Sequence, residues 1–161
     1  MRISDFQFSD TAKLDRVLEK LVEMIIRGQE LDSEYFGLVA ACVIDPEDRI
    51  VCGINYPAPD GRRIHAERAA LDRYRERYGE PASGSICVTT LSPCTAQRMG
   101  ERYGENCKDL INQTQIHKVY CGYLDPTQQD LAGKTFSLRE TRDPDIRANC
   151  RIIASQFLGK V

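Results

Sequence analysis

The sequence has no long uninterrupted run of apolar residues. No stretch approaches the roughly 20 residues that a membrane-spanning helix needs, so we expect no contact with a membrane. The first residues, MRISDFQFSDTAKLDR, lack the apolar segment of a secretory signal, which favours a cytoplasmic protein. Internal repeats, low-complexity segments and domain linkers are also missing. The 161 residues are therefore expected to form one domain over 1–161.

The sequence has little excess charge of either sign, and it has few histidines. The net charge is −2, which disfavours a broad nucleic-acid surface but is compatible with a local basic pocket. Only two histidines occur, against seven cysteines. An odd cysteine count without a secretory signal indicates reduced thiols, most of them in the core, as we expect for Cys87 and Cys121.

Hydrophobic periodicity predicts strands that alternate with helices. The predicted elements are helix 10–27, strands 36–44 and 50–55, a loop over 56–63, helix 65–78, strand 85–91, helix 107–114, a strand within 117–124, a short strand 135–138 and helix 143–158. Ser9 or Asp10 would cap the first helix and Gly28 would end it. Asp143 would cap the last helix, with Pro144 at its first position. The chain then divides into the N-terminal helix 10–27, a core over 36–126 and a C-terminal tail and helix over 127–161.

This order predicts a three-layer α/β/α sandwich with a mixed five-stranded sheet. The first two strands form a hairpin, and the second half of the sheet is parallel. Ligands of such sheets bind beyond the carboxyl ends of the strands. His65 and Cys107 begin helices and Cys94 follows a strand, so these three side chains can meet at one edge of the sheet.

One imidazole and two thiolates form a suitable ligand set for zinc. A catalytic zinc site uses three protein ligands, leaves one position to water and lowers the pKa of that water to about 7. Glu67 is the candidate to move protons. Other interpretations fit the residues as well: a hydrogen-bonded histidine at a helix start, a solvated first-turn acid for Glu67, and buried, inert thiols for Cys94 and Cys107. Residues two apart do not face each other on a helix, so His65 and Glu67 can cooperate only at the first turn.

Three segments together resemble the zinc-dependent cytidine and deoxycytidylate deaminase superfamily. They are HAERAALD from His65, SICVTTLSPC ending at Cys94, and CKDLI from Cys107. The family signature joins H-x-E to P-C-x-x-C. This chain departs from it, because twelve residues separate Cys94 from Cys107. Riboflavin-pathway pyrimidine deaminases also have a widened gap, and the resemblance covers roughly residues 36–126.

The resemblance implies a cytidine deaminase-like fold with zinc held by His65, Cys94 and Cys107. It implies that Glu67 is the catalytic proton shuttle. Several members bind substrate through an asparagine at the position of Asn55, although an asparagine before Tyr-Pro also favours a turn.

Further substrate contacts are expected from side chains near the motifs. Ala66 and Pro93 would border the base. Arg98 and Arg102 in the segment between the cysteines could bind a phosphate, as could Arg62 and Arg63, unless these arginines are ordinary solvated loop residues.

The expected function is hydrolytic deamination of a base, nucleoside or nucleotide, with an aminopyrimidine favoured. A tRNA or DNA base deaminase, an inactive zinc-binding module of the same fold, and a metal-free α/β protein are the alternatives. Members of the superfamily commonly associate, so we expect a homodimer or homotetramer.

Overall fold

A computed structural model describes residues 11–31, 37–60, 63–94, 106–126 and 134–158 of the chain. These residues form four helices and seven strands. In chain order they are α1 (Ala12–Leu31), β1 (Ala40–Ile44), β2 (Ile50–Ile54), β3 (Tyr56–Pro57), β4 (Arg63–Ile64), α2 (Ala66–Tyr78), β5 (Ile86–Leu91), α3 (Cys107–Asn112), β6 (Lys118–Tyr123), β7 (Ser137–Glu140) and α4 (Pro144–Leu158).

Five strands form one mixed sheet in the order β2-β1-β5-β6-β7. Strand β1 pairs antiparallel with both β2 and β5, whereas β5, β6 and β7 run parallel to one another. The predicted hairpin and the parallel second half are therefore confirmed. The direction of the last strand, which sequence patterns left open, is parallel to β6.

The sheet lies between two helical layers, as predicted. Alternate residues of β1 point to opposite faces, because successive side chains of a strand alternate. Cys42 and Ile44 belong to the core beneath α1 and α4, whereas Ala41 and Val43 belong to the core beneath α2 and α3. Cys87 and Cys121 are buried in their strands, in agreement with the sequence analysis.

Helix α1 is longer than predicted. Its apolar face is buried as expected, through Leu14, Leu18, Leu21 and Ile25. Gly28, however, lies inside the helix, which continues to Leu31. One glycine destabilises a helix by only about 1 kcal/mol relative to alanine, which is too little by itself to end a helix. The expected cap, Ser9 or Asp10, lies outside the described residues.

The first strand is shorter than predicted, because a side chain binds its expected beginning. The Oδ1 atom of Asn55 accepts hydrogen bonds from the backbone N–H groups of Leu38 and Val39, at 2.7 and 2.8 Å. These donors are thereby removed from the ladder, and β1 begins at Ala40. Phe36 lies outside the described residues.

Smaller differences occur at several other boundaries. The second strand ends at Ile54, α3 ends at Asn112, and β7 starts two residues later than predicted. The predicted loop 56–63 contains β3, which pairs with β4 and leads the chain back from the edge strand to α2.

The last helix begins as expected, since Asp143 Oδ1 accepts from the backbone N–H groups of Asp145 and Ile146.

Helix α2 lies unusually close to the sheet at Gly53 of β2. A Cβ atom on Gly53 would lie 2.3 Å from the backbone nitrogen of Ala70 and 2.8 Å from Cβ of Ala69. Both contacts are far below van der Waals separation, and one involves backbone that cannot rotate away. A glycine and two alanines therefore set the distance between α2 and the sheet.

We expect Gly53→Ala to lower the free energy of unfolding by about 1–3 kcal/mol, because overpacking forces α2 outward. Urea denaturation measures the change. Gly28→Ala is the matched control, since the same substitution inside α1 should stabilise the protein by about 0.5–1 kcal/mol. Equal, small effects of both substitutions would contradict the close packing of α2.

Candidate active site

Three separate elements bring His65, Cys94 and Cys107 together. His65 is the N-cap residue of α2 and has an extended backbone, which turns its side chain across the helix start. Cys94 lies three residues beyond the carboxyl end of β5, and Cys107 is the first residue of α3. The ligand atoms of the three side chains all lie within 4.8 Å of one another. The predicted meeting at one edge of the sheet is therefore observed.

The two distances from His65 to the sulfurs are close to those in a tetrahedral zinc centre. The Nδ1 atom of His65 is 3.4 Å from Sγ of Cys94 and 3.4 Å from Sγ of Cys107. Ordinary Zn–N and Zn–S bonds at a tetrahedral angle place such N and S atoms about 3.6 Å apart. Among the residues described, the group has three members, the number that a catalytic zinc site takes from the protein.

Backbone groups orient the two sulfurs. Asn106 caps α3, because its Oδ1 atom accepts from the backbone N–H of Asp109 at 2.8 Å. The next backbone N–H, that of Cys107, donates to Sγ of Cys94 at 3.3 Å, and the N–H of Lys108 donates to the carbonyl oxygen of Cys94 at 3.1 Å. The start of α3 thus holds the segment that carries Cys94.

The pKa values of the two thiols are shifted in opposite directions. Hydrogen bonding from Cys107, and then from His65, lowers the pKa of Cys94 to about 5. Its hydrogen bond to Cys94, together with burial, holds the pKa of Cys107 well above its ordinary value. Burial disfavours the His65 cation, but the contact with Cys94 outweighs burial and raises the pKa of His65. Zinc binding would therefore displace a proton from Cys107.

Glu67 is buried beside this cluster. It is only 5% exposed, although it lies in the first turn of α2, so the interpretation as a solvated acid is wrong. Its Oε2 atom lies 3.3 Å from Sγ of Cys107, and its Oε1 atom lies 2.9 Å from the hydroxyl of Thr89. Desolvation raises the pKa of Glu67.

The structure describes only some of the other residues that were predicted to contact a substrate. Asn55 is buried, and its Oδ1 atom binds the backbone before β1. Ala66 and Pro93 are buried next to the cluster residues in the chain. Arg98 and Arg102 lie outside the described residues, as do Arg62 and the segment over 95–105 that joins the two cysteines. Direct contacts of all these residues with a substrate stay predictions.

Sequence reasoning missed Thr89. The signal was present in SICVTTL, where two threonines stand inside a strand that was predicted to be buried. A buried hydroxyl needs a hydrogen-bond partner, so a pair of threonines in a core strand indicates nearby polar groups. Which groups these are depends on the position of α2 over β5.

A family model describes this site. The model of the cytidine and deoxycytidylate deaminase zinc-binding region matches residues 13–123, which is more than half of the chain. The protein therefore belongs to the cytidine and deoxycytidylate deaminase family, and zinc is the cofactor of the matched region. No curated protein sequence matches the chain.

Solved structures share the fold at low identity. A Thermotoga maritima diaminohydroxyphosphoribosylaminopyrimidine deaminase/5-amino-6-(5-phosphoribosylamino)uracil reductase has a TM-score of 0.62 and 20% identity, covering 91% of this chain and 42% of that chain. The dCMP deaminase of cyanophage S-TIM5 has a TM-score of 0.52 and 17% identity, covering 78% and 98%. A structure from a study of tRNA:A34 deaminases has a TM-score of 0.58 and 19% identity, covering 86% and 99%.

These likenesses concern the fold alone. The chain spans less than half the length of the bifunctional Thermotoga protein.

Within its described part, none of the helices is long and apolar enough to cross a membrane.

We expect Cys107→Ala to lower the zinc content well below that of the unaltered protein, which we expect to be near one per chain, because two ligands hold zinc much less tightly than three. Elemental analysis after gel filtration measures the ratio of zinc to protein. Cys150→Ala is the matched control, since this buried thiol lies on the opposite face of the sheet and should keep full zinc occupancy. Full retention in Cys107→Ala would assign the third ligand elsewhere.

Proposed function

We propose that this protein is a zinc-dependent hydrolytic deaminase of an amino-substituted base, nucleoside or nucleotide. An aminopyrimidine is the favoured substrate class. His65, Cys94 and Cys107 hold the zinc. The observation that carries the proposal is the buried carboxyl group of Glu67, whose Oε2 atom lies 3.3 Å from one of these ligands. A structural zinc site has no need for an acid in this position.

The chemistry follows from these four side chains. Zinc, when bound, lowers the pKa of a coordinated water to about 7 and so supplies a nucleophile near neutral pH. Glu67 accepts a proton from the attacking water and delivers it to the ring nitrogen of the substrate. It then moves a second proton to the amino group, which leaves as ammonia while the ring carbon becomes a carbonyl. Burial keeps bulk water away from Glu67 and keeps these protons within the site.

The substrate class rests on family membership and on charge. A net charge of −2 gives little attraction for a polyanion, which favours a small substrate over tRNA or DNA. The fold neighbours include a dCMP deaminase and an aminopyrimidine deaminase, which makes pyrimidine nucleotides the first compounds to test. The homodimer or homotetramer and the cytoplasmic location stay predictions.

Ammonia release by the zinc-loaded protein tests the proposal. The panel contains cytosine, cytidine, dCMP, a phosphoribosylated diaminopyrimidine, adenosine, guanine and a tRNA anticodon stem-loop. Turnover of a small aminopyrimidine supports the proposal. Turnover of the stem-loop alone would identify a polynucleotide deaminase, and zinc without ammonia from any compound would identify an inactive zinc-binding module.

We expect Glu67→Gln to retain zinc and to lose about 10²- to 10⁴-fold in kcat, because the amide cannot accept the proton of water. Coupled measurements of ammonia and of zinc content check both parts. Glu76→Gln, on the exposed side of the same helix, is the matched control and should leave turnover unchanged. Survival of turnover in Glu67→Gln would show that another group moves the proton.

Substitutions of Asn55 can separate its contact with the backbone before β1 from its predicted contact with a substrate. We expect Asn55→Asp to keep an oxygen for the N–H groups of Leu38 and Val39 but to lose the amide donor, and so to raise KM or lower kcat at near-normal stability. Asn55→Ala should lose both functions and unfold at lower urea concentration. Normal kinetics in Asn55→Asp would limit Asn55 to anchoring the start of β1.

A further inference from the structure

Thr89 contacts Glu67 from the centre of the sheet. Its backbone is paired on both sides, with Ala41 of β1 and with Cys121 of β6. Its side chain is completely buried, and its Oγ1 atom lies 2.9 Å from Oε1 of Glu67 and 2.8 Å from the carbonyl oxygen of Leu91. Thr89 is therefore held rigidly between an acid and a fixed backbone acceptor.

The two contacts cannot both be ordinary hydrogen bonds from Thr89 at once, because a hydroxyl has one hydrogen. The carbonyl oxygen of Leu91 can only accept. The Oγ1 atom lies within hydrogen-bond distance of both Oε1 of Glu67 and the carbonyl oxygen of Leu91. Its position relative to Glu67 is therefore fixed by the backbone of β5.

We propose that Thr89 is a positioning residue that holds the Glu67 carboxyl group in one orientation beside the candidate metal ligands. This inference rests on the proposed function, in which Glu67 acts on the substrate. Thr89 contacts Oε1 from the centre of the sheet, which leaves Oε2 directed at Sγ of Cys107, 3.3 Å away. A carboxyl group fixed in this way needs no reorientation before it meets the substrate, which is the advantage of preorganisation.

Two other buried threonines allow comparison with Thr89. Thr90, the next residue, accepts from the backbone N–H of Ala40 at 3.2 Å and does not bind an acid. Thr141 donates to Oδ1 of Asp15 at 2.7 Å in the layer formed by α1 and α4. Thr141 is therefore a matched control: it is a buried threonine bound to a carboxylate that takes no part in the proposed reaction.

The test compares Thr89→Val, Thr89→Ser and Thr141→Val with the unaltered, zinc-loaded protein on the best substrate of the ammonia screen. We expect Thr89→Val to lose at least tenfold in kcat with KM within about twofold and zinc content unchanged. Thr89→Ser, which keeps the hydroxyl, should recover most of kcat. Thr141→Val should lower the urea midpoint and leave kcat unchanged.

Each other outcome overturns the role of Thr89. Normal kcat in Thr89→Val would show that Glu67 needs no such partner. An equal loss in Thr89→Val and Thr89→Ser would assign the effect to packing rather than to the hydroxyl. If the unaltered protein releases ammonia from no compound, the proposed function fails and the role of Thr89 fails with it, a result distinct from either of the others.

Discussion

The close packing of α2 against the sheet is the constraint on which the site depends. Gly53 has no side chain, so the backbone around Ala69 and Ala70 can lie directly over β2. This contact fixes the height of the helix, and the helix carries both His65 and Glu67. A displacement of α2 would move the imidazole and the carboxyl group together, away from the sulfurs at the end of β5 and at the start of α3.

Hydrogen bonds hold the candidate metal ligands close together. Sγ of Cys94 lies 3.4 Å from Nδ1 of His65 and accepts from the backbone N–H of Cys107, and Sγ of Cys107 lies 3.4 Å from the same nitrogen. Zinc, when bound, requires both sulfurs as thiolates. The side chains that would hold the metal are therefore oriented by their own contacts and by the start of α3.

Much of this arrangement was predictable, because it is encoded in local patterns. The apolar stripe of α1, the continuous apolar run of β5 and the cap at Asp143 all follow from nearest-neighbour chemistry. Errors occurred where a distant group intervened. Asn55 shortens β1 by binding Leu38 and Val39, residues sixteen or more positions away in the chain. A second difference has a local cause: Gly28 does not end α1, because one glycine inside a helix costs only about 1 kcal/mol relative to alanine.

The sequence by itself identified the family and predicted the candidate zinc ligands and the candidate acid, since short motifs carry the donor atoms and their helix and strand contexts. Only the tertiary structure decided that β7 runs parallel to β6, that Glu67 is buried rather than solvated, and that Thr89 is its partner. The physical reason is that periodicity records which face of an element is apolar. The side chains that meet between two packed layers depend on how closely the layers pack. That distance is set jointly by residues far apart in the chain.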